Sequence, residues 1–212
     1  MTKVHIPNND SHLDEAYNLT TDDEAEEFYN TWATDYDDHY IKNLNYNAFE
    51  HVANDLASVL PRRDARILDV GTGTGLTGQA LAILGFTNID GWDISVEMLK
   101  EAMIKNVYRT LLPINLNESK YPMTSQYDAA VSSGTFTKGH VKHDALPYII
   151  EVLKPGGYFA CTINIGIWEE LGFKYTIEQL EKDNIISIEK YTDRSYWSDD
   201  TLECRCFLFK KL

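Results

Sequence analysis

Ile67-Leu68-Asp69-Val70-Gly71-Thr72-Gly73-Thr74-Gly75-Leu76 is the stretch that decides how this chain folds. An apolar strand, interrupted by the single acid Asp69, runs into a loop with glycine at Gly71, Gly73 and Gly75. A helical stretch follows, with Leu76, Ala80, Leu81 and Leu84 on one face. Glycine admits positive φ and lets the backbone approach a ligand with no Cβ in the way. The free N–H groups that open the helix point at whatever sits in the turn. A strand, loop and helix of this kind predict a nucleotide or nucleoside site. Shifted by one glycine, Gly73-Thr74-Gly75-Leu76-Thr77-Gly78 satisfies the dinucleotide fingerprint G-x-G-x-x-G. Asp69 argues against that version. A carboxylate at the end of a buried strand is costly without polar or charged partners, and it would repel a pyrophosphate. A ligand carrying an ammonium and a sulfonium beside a ribose would accept it.

Outward from this loop, strands and helices alternate. Asn88 to Ile94, Leu111 to Leu116, Tyr127 to Ser133 and Tyr158 to Asn164 read as further strands. Ser95 caps a helix running to about Asn106, with Leu99, Ala102 and Met103 inward. A helix from about Asp144 to Leu153 stops at Lys154-Pro155-Gly156-Gly157, a tight turn. Strands separated by helices imply a mostly parallel sheet covered on both faces. The ending differs: Ile185 to Tyr196 and Leu202 to Lys211 are strand-like runs joined by Ser198-Asp199-Asp200. So short a link favours an antiparallel pair. Upstream, Thr21 and Glu24 form a capping box that opens an acidic helix. A second helix from about Ala48 to Leu60 carries Phe49, Val52, Ala53, Leu56, Val59 and Leu60 at the helical period.

At 212 residues the chain accommodates one domain with a sizeable core. The formal charge is −14, from 33 acids against 19 bases. Such a surface repels phosphate backbones and anionic membranes, which argues against a nucleic-acid substrate. No apolar run reaches the roughly 18 residues of a membrane span, and Met1 to Thr20 lacks an apolar signal core. Three cysteines, an odd count, point to a reducing cytoplasmic setting. Cys204 and Cys206 share one face of a strand and read as small core residues, since metal ligation would need partners the sequence does not show.

Two further motifs follow the glycine loop in order. Asp93 ends the second strand, where a carboxylate can accept hydrogen bonds from both hydroxyls of a ribose; Asp90 takes that place if the strand registers differently. The Asp69-x-Gly71-x-Gly73-x-Gly75 loop, the run Gly91-Trp92-Asp93-Ile94-Ser95-Val96-Glu97-Met98-Leu99 and the turn Val152-Leu153-Lys154-Pro155-Gly156-Gly157 resemble the successive motifs of class I S-adenosylmethionine (AdoMet) dependent methyltransferases. The resemblance covers about Ala65 to Asn164. It implies a Rossmann-like, doubly wound α/β domain whose mostly parallel seven-stranded sheet ends in an antiparallel hairpin strand, with N-terminal helices as a cap. It divides the chain into a flexible extension (1–20), cap helices (21–60), a cofactor-binding core (65–164), and an insertion with the terminal hairpin (165–212). The cofactor it implies is AdoMet, leaving as S-adenosylhomocysteine, on Asp69, Gly71, Thr72, Gly73, Gly75, Asp93 and Ile94, with Ser133 at the end of the fourth strand. Ile94 would pack on adenine. Many members place an acid against the adenine exocyclic amine where this chain has Asn115-Leu116. The Asn115 oxygen can accept from that amine and the Leu116 N–H can donate to the ring.

Phe28-Tyr29-Asn30-Thr31-Trp32-Ala33-Thr34-Asp35-Tyr36-Asp37 also resembles a segment of a narrower subgroup, the Williams–Beuren-region methyltransferase-like proteins, with Asn30 in place of their acid. Thr135-Phe136-Thr137-Lys138-Gly139-His140-Val141 looks like theirs too. Tyr29, Trp32 and Tyr36 then read either as a lid whose aromatic faces favour a sulfonium, or as a plain core stripe. Methyl transfer from a sulfonium draws on alignment and water exclusion, and needs a base only if the acceptor must lose a proton. His140, shortly after the fourth strand, is the candidate base, against a structural role for the same residue. His143 and His39 are weaker candidates. Trp168 and Tyr175 either line an acceptor pocket or cover the core. The fourth strand ends in Ser132-Ser133-Gly134-Thr135 rather than the N/D-P-P-Y of amide and base-amine enzymes, and no metal signature appears. These features favour a small-molecule acceptor, over a protein methyltransferase and over a cofactor-binding module without turnover.

Overall fold

The computed structural model describes residues 10–118, 126–197 and 201–212. Seven strands form one sheet: β1 (Ile67–Val70), β2 (Ile89–Asp93), β3 (Tyr108–Pro113), β4 (Tyr127–Phe136), β5 (Leu153–Asn164), β6 (Ile186–Arg194) and β7 (Cys204–Lys211). Their order is β3-β2-β1-β4-β5-β7-β6. Pairing is parallel from β3 to β5, and β7 runs antiparallel between β5 and β6. This is the predicted doubly wound sheet with its antiparallel ending. The expected turn Ser198-Asp199-Asp200 lies outside the described residues.

Among the described residues seven α-helices accompany the strands: α1 (Ser11–Tyr17), α2 (Asp22–Asp37), α3 (Ala48–Val59), α4 (Leu76–Ile83), α5 (Val96–Ile104), α6 (Ala145–Val152) and α7 (Phe173–Lys182). Alternation along β1 divides the core. Leu68 and Val70 join Leu146, Ile149, Phe159 and Phe173 on the face covered by α6 and α7. Ile67 joins Val52 and Leu56 of α3 and Leu81 of α4 on the other. Each large apolar side chain buried in this way contributes about 1.5–3 kcal/mol. β1 is buried along its whole length, so both of its faces are apolar except at Asp69.

Three boundaries differ from expectation. The third strand is Tyr108–Pro113 rather than Leu111 to Leu116, because Pro113 has no N–H with which to continue a ladder. Asn115 and Leu116 therefore follow the strand. Lys154 to Gly157 does not separate helix from strand; β5 begins at Leu153 and passes through it, with Gly156 at φ 79°. Residues 11–17, expected within a flexible extension, form α1. Asp10 caps it by accepting the Leu13 N–H at 3.0 Å, and Leu13 and Ala16 are buried. The capping box of Thr21 and Glu24 is present, and α2 continues into a π-helical turn, Asp38–Asn43.

Candidate functional site

The glycine loop leaves β1 at the sheet's C-terminal edge. Gly71 has φ 70°, and a Cβ there would lie 2.2 Å from Thr135 Oγ1. At Gly73, φ 53°, an added Cβ would meet nothing within 4 Å. The loop is anchored on β2: the Gly71 and Thr72 N–H groups both donate to the Trp92 carbonyl at 2.9 Å. Asp93 completes the anchor, its Oδ2 accepting the Gly73 N–H at 2.7 Å and its Oδ1 the Ser95 N–H at 2.9 Å. Ser95 Oγ in turn caps α5 through the Met98 N–H. Burial pushes the Asp93 carboxyl above its usual range, against its backbone donors. Each oxygen keeps a lone pair beyond these bonds, and Asp93 lines the cleft.

Asp69 lies elsewhere. It is fully buried beneath the loop and is not part of the cleft wall. Its Oδ2 accepts from the Tyr108 hydroxyl at 2.6 Å, and Tyr108 itself accepts the Gly78 N–H at 3.1 Å. Asp69 Oδ1 has no hydrogen-bond partner among the described residues. Desolvation raises this carboxyl to about 7, with the Tyr108 bond pulling the other way. The sequence reading put a charged ligand against Asp69; the structure puts a tyrosine there.

The cleft is a cavity of about 100 Å³. Gly71, Gly73, Asp93 and Ile94 form one wall, Asn115, Leu116 and Asn117 an end, and Ser133 and Thr135 the floor at β4. The roof is α2, through Asp22, Ala25, Tyr29 and Tyr36. Four polar clasps hold this helix down. Asp22 accepts from Asn115 Nδ2 at 2.8 Å and Asn117 Nδ2 at 2.6 Å. Asn30 Oδ1 accepts from Ser95 Oγ at 2.7 Å and the Glu97 N–H at 3.2 Å, so an amide oxygen does there what a carboxylate could. Asp37 takes Thr74 Oγ1 and Lys105 Nζ. Tyr29 meets His140.

His140 Nδ1 lies 2.8 Å from the Lys138 carbonyl, which can only accept, so Nδ1 carries the proton. Nε2 is then the acceptor of the Tyr29 hydroxyl at 2.6 Å. Burial lowers His140 to about 4 and raises the Tyr29 phenol, so both are neutral at neutral pH. Behind them lies a second, smaller chamber of about 20 Å³, room for one water. It shares Tyr29, Tyr36, Gly134 and His140 with the cleft and adds Tyr17, Tyr40, Tyr46, Tyr196 and Trp197. No Asp, Glu, Lys or Arg side chain lines it. Tyr46 Oη is bonded to Ser133 Oγ at 2.7 Å, which ties the chamber to β4.

The aromatic stripe on α2 divides. Tyr29 and Tyr36 face the cleft, whereas Trp32 is buried under α1, stacked on His12 at 4.9 Å. Thr72 and Gly75 shape the loop without lining the cavity: Thr72 Oγ1 donates to the Asp69 carbonyl, and Gly75 at φ 91° opens α4. His143 bonds Thr176. Trp168 stacks on Phe207 and Tyr175 is exposed, both away from the cleft. Cys204 and Cys206 are buried with their sulfurs 3.9 Å apart. Asp10, His12 and His39 bring three potential ligand atoms within 4.8 Å, with His39 Nε2 hydrogen-bonded to Asp10 at 2.8 Å. Sequence reasoning missed Asp22, Met98, Ile114, Asn117, Gly139 and Val141 in the cleft wall. Met98 sits in the run 91–99 and Gly139 and Val141 in the segment 135–141, none of them marked there as a site residue, and Asp22 shows only as a first-turn acid, which reads as helix capping. No helix among the described residues is long and apolar enough to cross a membrane.

Residues 67–157 match the family described as Methyltransferase domain. Human methyltransferase-like protein 27 is 35% identical over 138 residues, which are 64% of this chain and 56% of that protein. The match thus spans little more than half the length of the curated relative. Among solved structures, the [4+2]-cyclase SpnF superposes with TM-score 0.67 at 16% identity, covering 91% of this chain and 97% of that one. A TehB-like SAM-dependent methyltransferase from Corynebacterium glutamicum gives 0.64 at 20% identity, covering 88% and 99%.

Proposed function

We propose that this chain, a class I methyltransferase by its domain at 67–157 and its fold, binds AdoMet in the cleft under α2 and methylates a small-molecule acceptor. The open position at Gly73, beside a carboxylate with acceptor capacity left, carries the cofactor assignment. A Cβ at Gly73 would occupy the space a ligand needs, and Asp93 presents both oxygens where ribose hydroxyls can donate. In this reading Gly71, Gly73, Asp93, Ile94, Leu116, Ser133, Tyr29 and Tyr36 hold the cofactor. Trp32 braces α2 from behind, and Asp69, Thr72 and Gly75 hold the loop in shape. AdoMet, when bound, supplies an electrophilic methyl group on a sulfonium.

The chain's own part is alignment, exclusion of water and the handling of a proton. The clasps on α2 close the roof, which keeps solvent out. The aromatic wall beside Tyr29 carries no Asp, Glu, Lys or Arg, which supports a small uncharged acceptor rather than a basic peptide or nucleic acid. Tyr29 stands between cleft and chamber. It can take a proton on Oη while passing its own to His140 Nε2, whose lone pair is free of any other donor. His140 is thus a positioning partner and proton acceptor behind Tyr29. Titration calorimetry with AdoMet, S-adenosylhomocysteine and NAD(H) tests the central claim: the first two should bind, and tight binding of NAD(H) without either would overturn it.

A further inference from the structure

The end of the cleft formed by Asn115, Leu116 and Asn117 carries an arrangement that the cofactor assignment does not require. Asp22 comes from the first turn of α2, on the roof, and yet it closes the end wall with Asn115, Leu116 and Asn117. Its two oxygens take one amide hydrogen each, Oδ2 from Asn115 and Oδ1 from Asn117. The Asn115 amide is fixed in orientation. Its Oδ1 accepts the Asn117 N–H at 2.9 Å, so its NH2 is the end that faces Asp22. Asn117 Oδ1 is likewise occupied, by the Lys142 N–H at 3.0 Å. The two asparagine oxygens thus serve the backbone, and both NH2 groups are turned to Asp22. A carboxylate has about four lone-pair sites, and two remain.

We infer that Asp22 is the residue that reads the base, accepting the exocyclic amine of adenine, and that base recognition is therefore built on the roof helix. The inference rests on the reading of the cleft as an AdoMet site. The apolar side chains beside Asp22, Ile94, Met98, Ile114 and Val141, suit the faces of a planar ring. A carboxylate at its edge selects a donor and rejects an acceptor. Adenine offers an NH2 at that edge, and hypoxanthine, its deaminated counterpart, offers a carbonyl oxygen. Asp22 already holds Asn115 and Asn117, so a donor at the edge of the base adds a further bond to the roof helix.

Calorimetry with S-adenosylhomocysteine and S-inosylhomocysteine, on the full chain and on Asp22→Ala and Asp22→Asn, tests this. One charged hydrogen bond distinguishes the two ligands, so wild type should prefer the adenosyl form by about 10- to 100-fold. Asp22→Ala should erase most of that preference. Asp22→Asn can turn its NH2 toward the carbonyl oxygen, so it should bind the inosyl form more tightly than wild type does. A purely structural Asp22 would yield no such gain, and a misfolded variant, seen in its melting curve, cannot produce one. Equal preference in wild type and both variants overturns the inference and leaves the cofactor reading intact. Failure of wild type to bind S-adenosylhomocysteine overturns that reading, and the inference with it.

Discussion

Replacing Asp93 with alanine should loosen cofactor binding about a hundredfold without unfolding the protein. Its carboxylate accepts two backbone N–H groups, from Gly73 at 2.7 Å and Ser95 at 2.9 Å, and has one further site on each oxygen for a ribose hydroxyl. A charged hydrogen bond is worth about 1.5–3 kcal/mol, so two ribose bonds set a ceiling near 6 kcal/mol. Water can replace part of this in the variant, which places the expected loss near the lower end, about 3 kcal/mol, or roughly 10²-fold in Kd. Stability should change less. The variant loses two backbone bonds, but it also sheds a carboxylate whose burial raises its pKa. Asp93→Asn is no gentle control, because its NH2 must confront one of the two N–H donors. It should bind nearly as weakly as the alanine variant. Calorimetry with S-adenosylhomocysteine reads the affinities, and thermal melts read the fold. An unchanged Kd in a folded alanine variant would refute the assignment of Asp93 to the ribose.

Three further outcomes follow from buried groups and from the roof. Folded His140 keeps its proton off until about pH 4, whereas an unfolded histidine titrates near 6.5. Stability should therefore fall as pH drops through that window, by at most about 3 kcal/mol, and His140→Gln should flatten the profile in urea melts from pH 7 to 4. Asp69 has the opposite sign. Its folded value of about 7 exceeds the unfolded 3.8, so stability is lost as pH rises between them; Asp69→Asn should gain on wild type from pH 5 to 8, and a constant gap would count against a buried, protonated Asp69. Hydrogen exchange over Glu24 to Tyr40 should slow when S-adenosylhomocysteine binds, since α2 depends on its docked contacts. Equal strong protection in both states would make the roof ordinary core.

The parts of the site that were legible in the sequence are those fixed by backbone chemistry. The glycine loop and Asp93 announce themselves because positive φ, close approach and a strand-end acid leave few residue choices. The seven-stranded order follows from alternation and a closing hairpin for the same reason. What escaped is non-local. Asp69 was assigned to a ligand because a buried acid needs a partner, but nothing in the sequence said that Tyr108, on the far side of β2, supplies it. The third strand lies earlier than Leu111 to Leu116 because that run, apolar but for Asn115, contains Pro113, where the ladder ends. Helix α1 is short and polar, and its order comes from Leu13 and Ala16 under α2 and from His12 on Trp32. Asp22 was hidden in plain view as a first-turn acid of a capped helix.

The fold does not choose the reaction, and the likeness to SpnF, a [4+2]-cyclase, makes the point directly. A choice of acceptor must then come from what surrounds the shared cleft. In this chain most of the chamber wall lies outside the matched domain at 67–157. Tyr17, Tyr29, Tyr36, Tyr40 and Tyr46 precede it, and Tyr196 and Trp197 follow it. The isolated bridge between Tyr46 and Trp197, with the Asn47 N–H donating to the Tyr196 carbonyl at 2.9 Å, joins the two flanks into one unit. Gly134, Thr137 and His140 are the chamber residues the domain itself contributes. In the proposed reading the common core supplies the glycine loop and Asp93, α2 lays Asp22, Tyr29 and Tyr36 over the same cleft, and most of the aromatic chamber comes from the flanks. Exchange of those flanks between relatives should move acceptor preference, and through Asp22, Tyr29 and Tyr36 it should change cofactor affinity as well, whereas the glycine loop and Asp93 stay with the core.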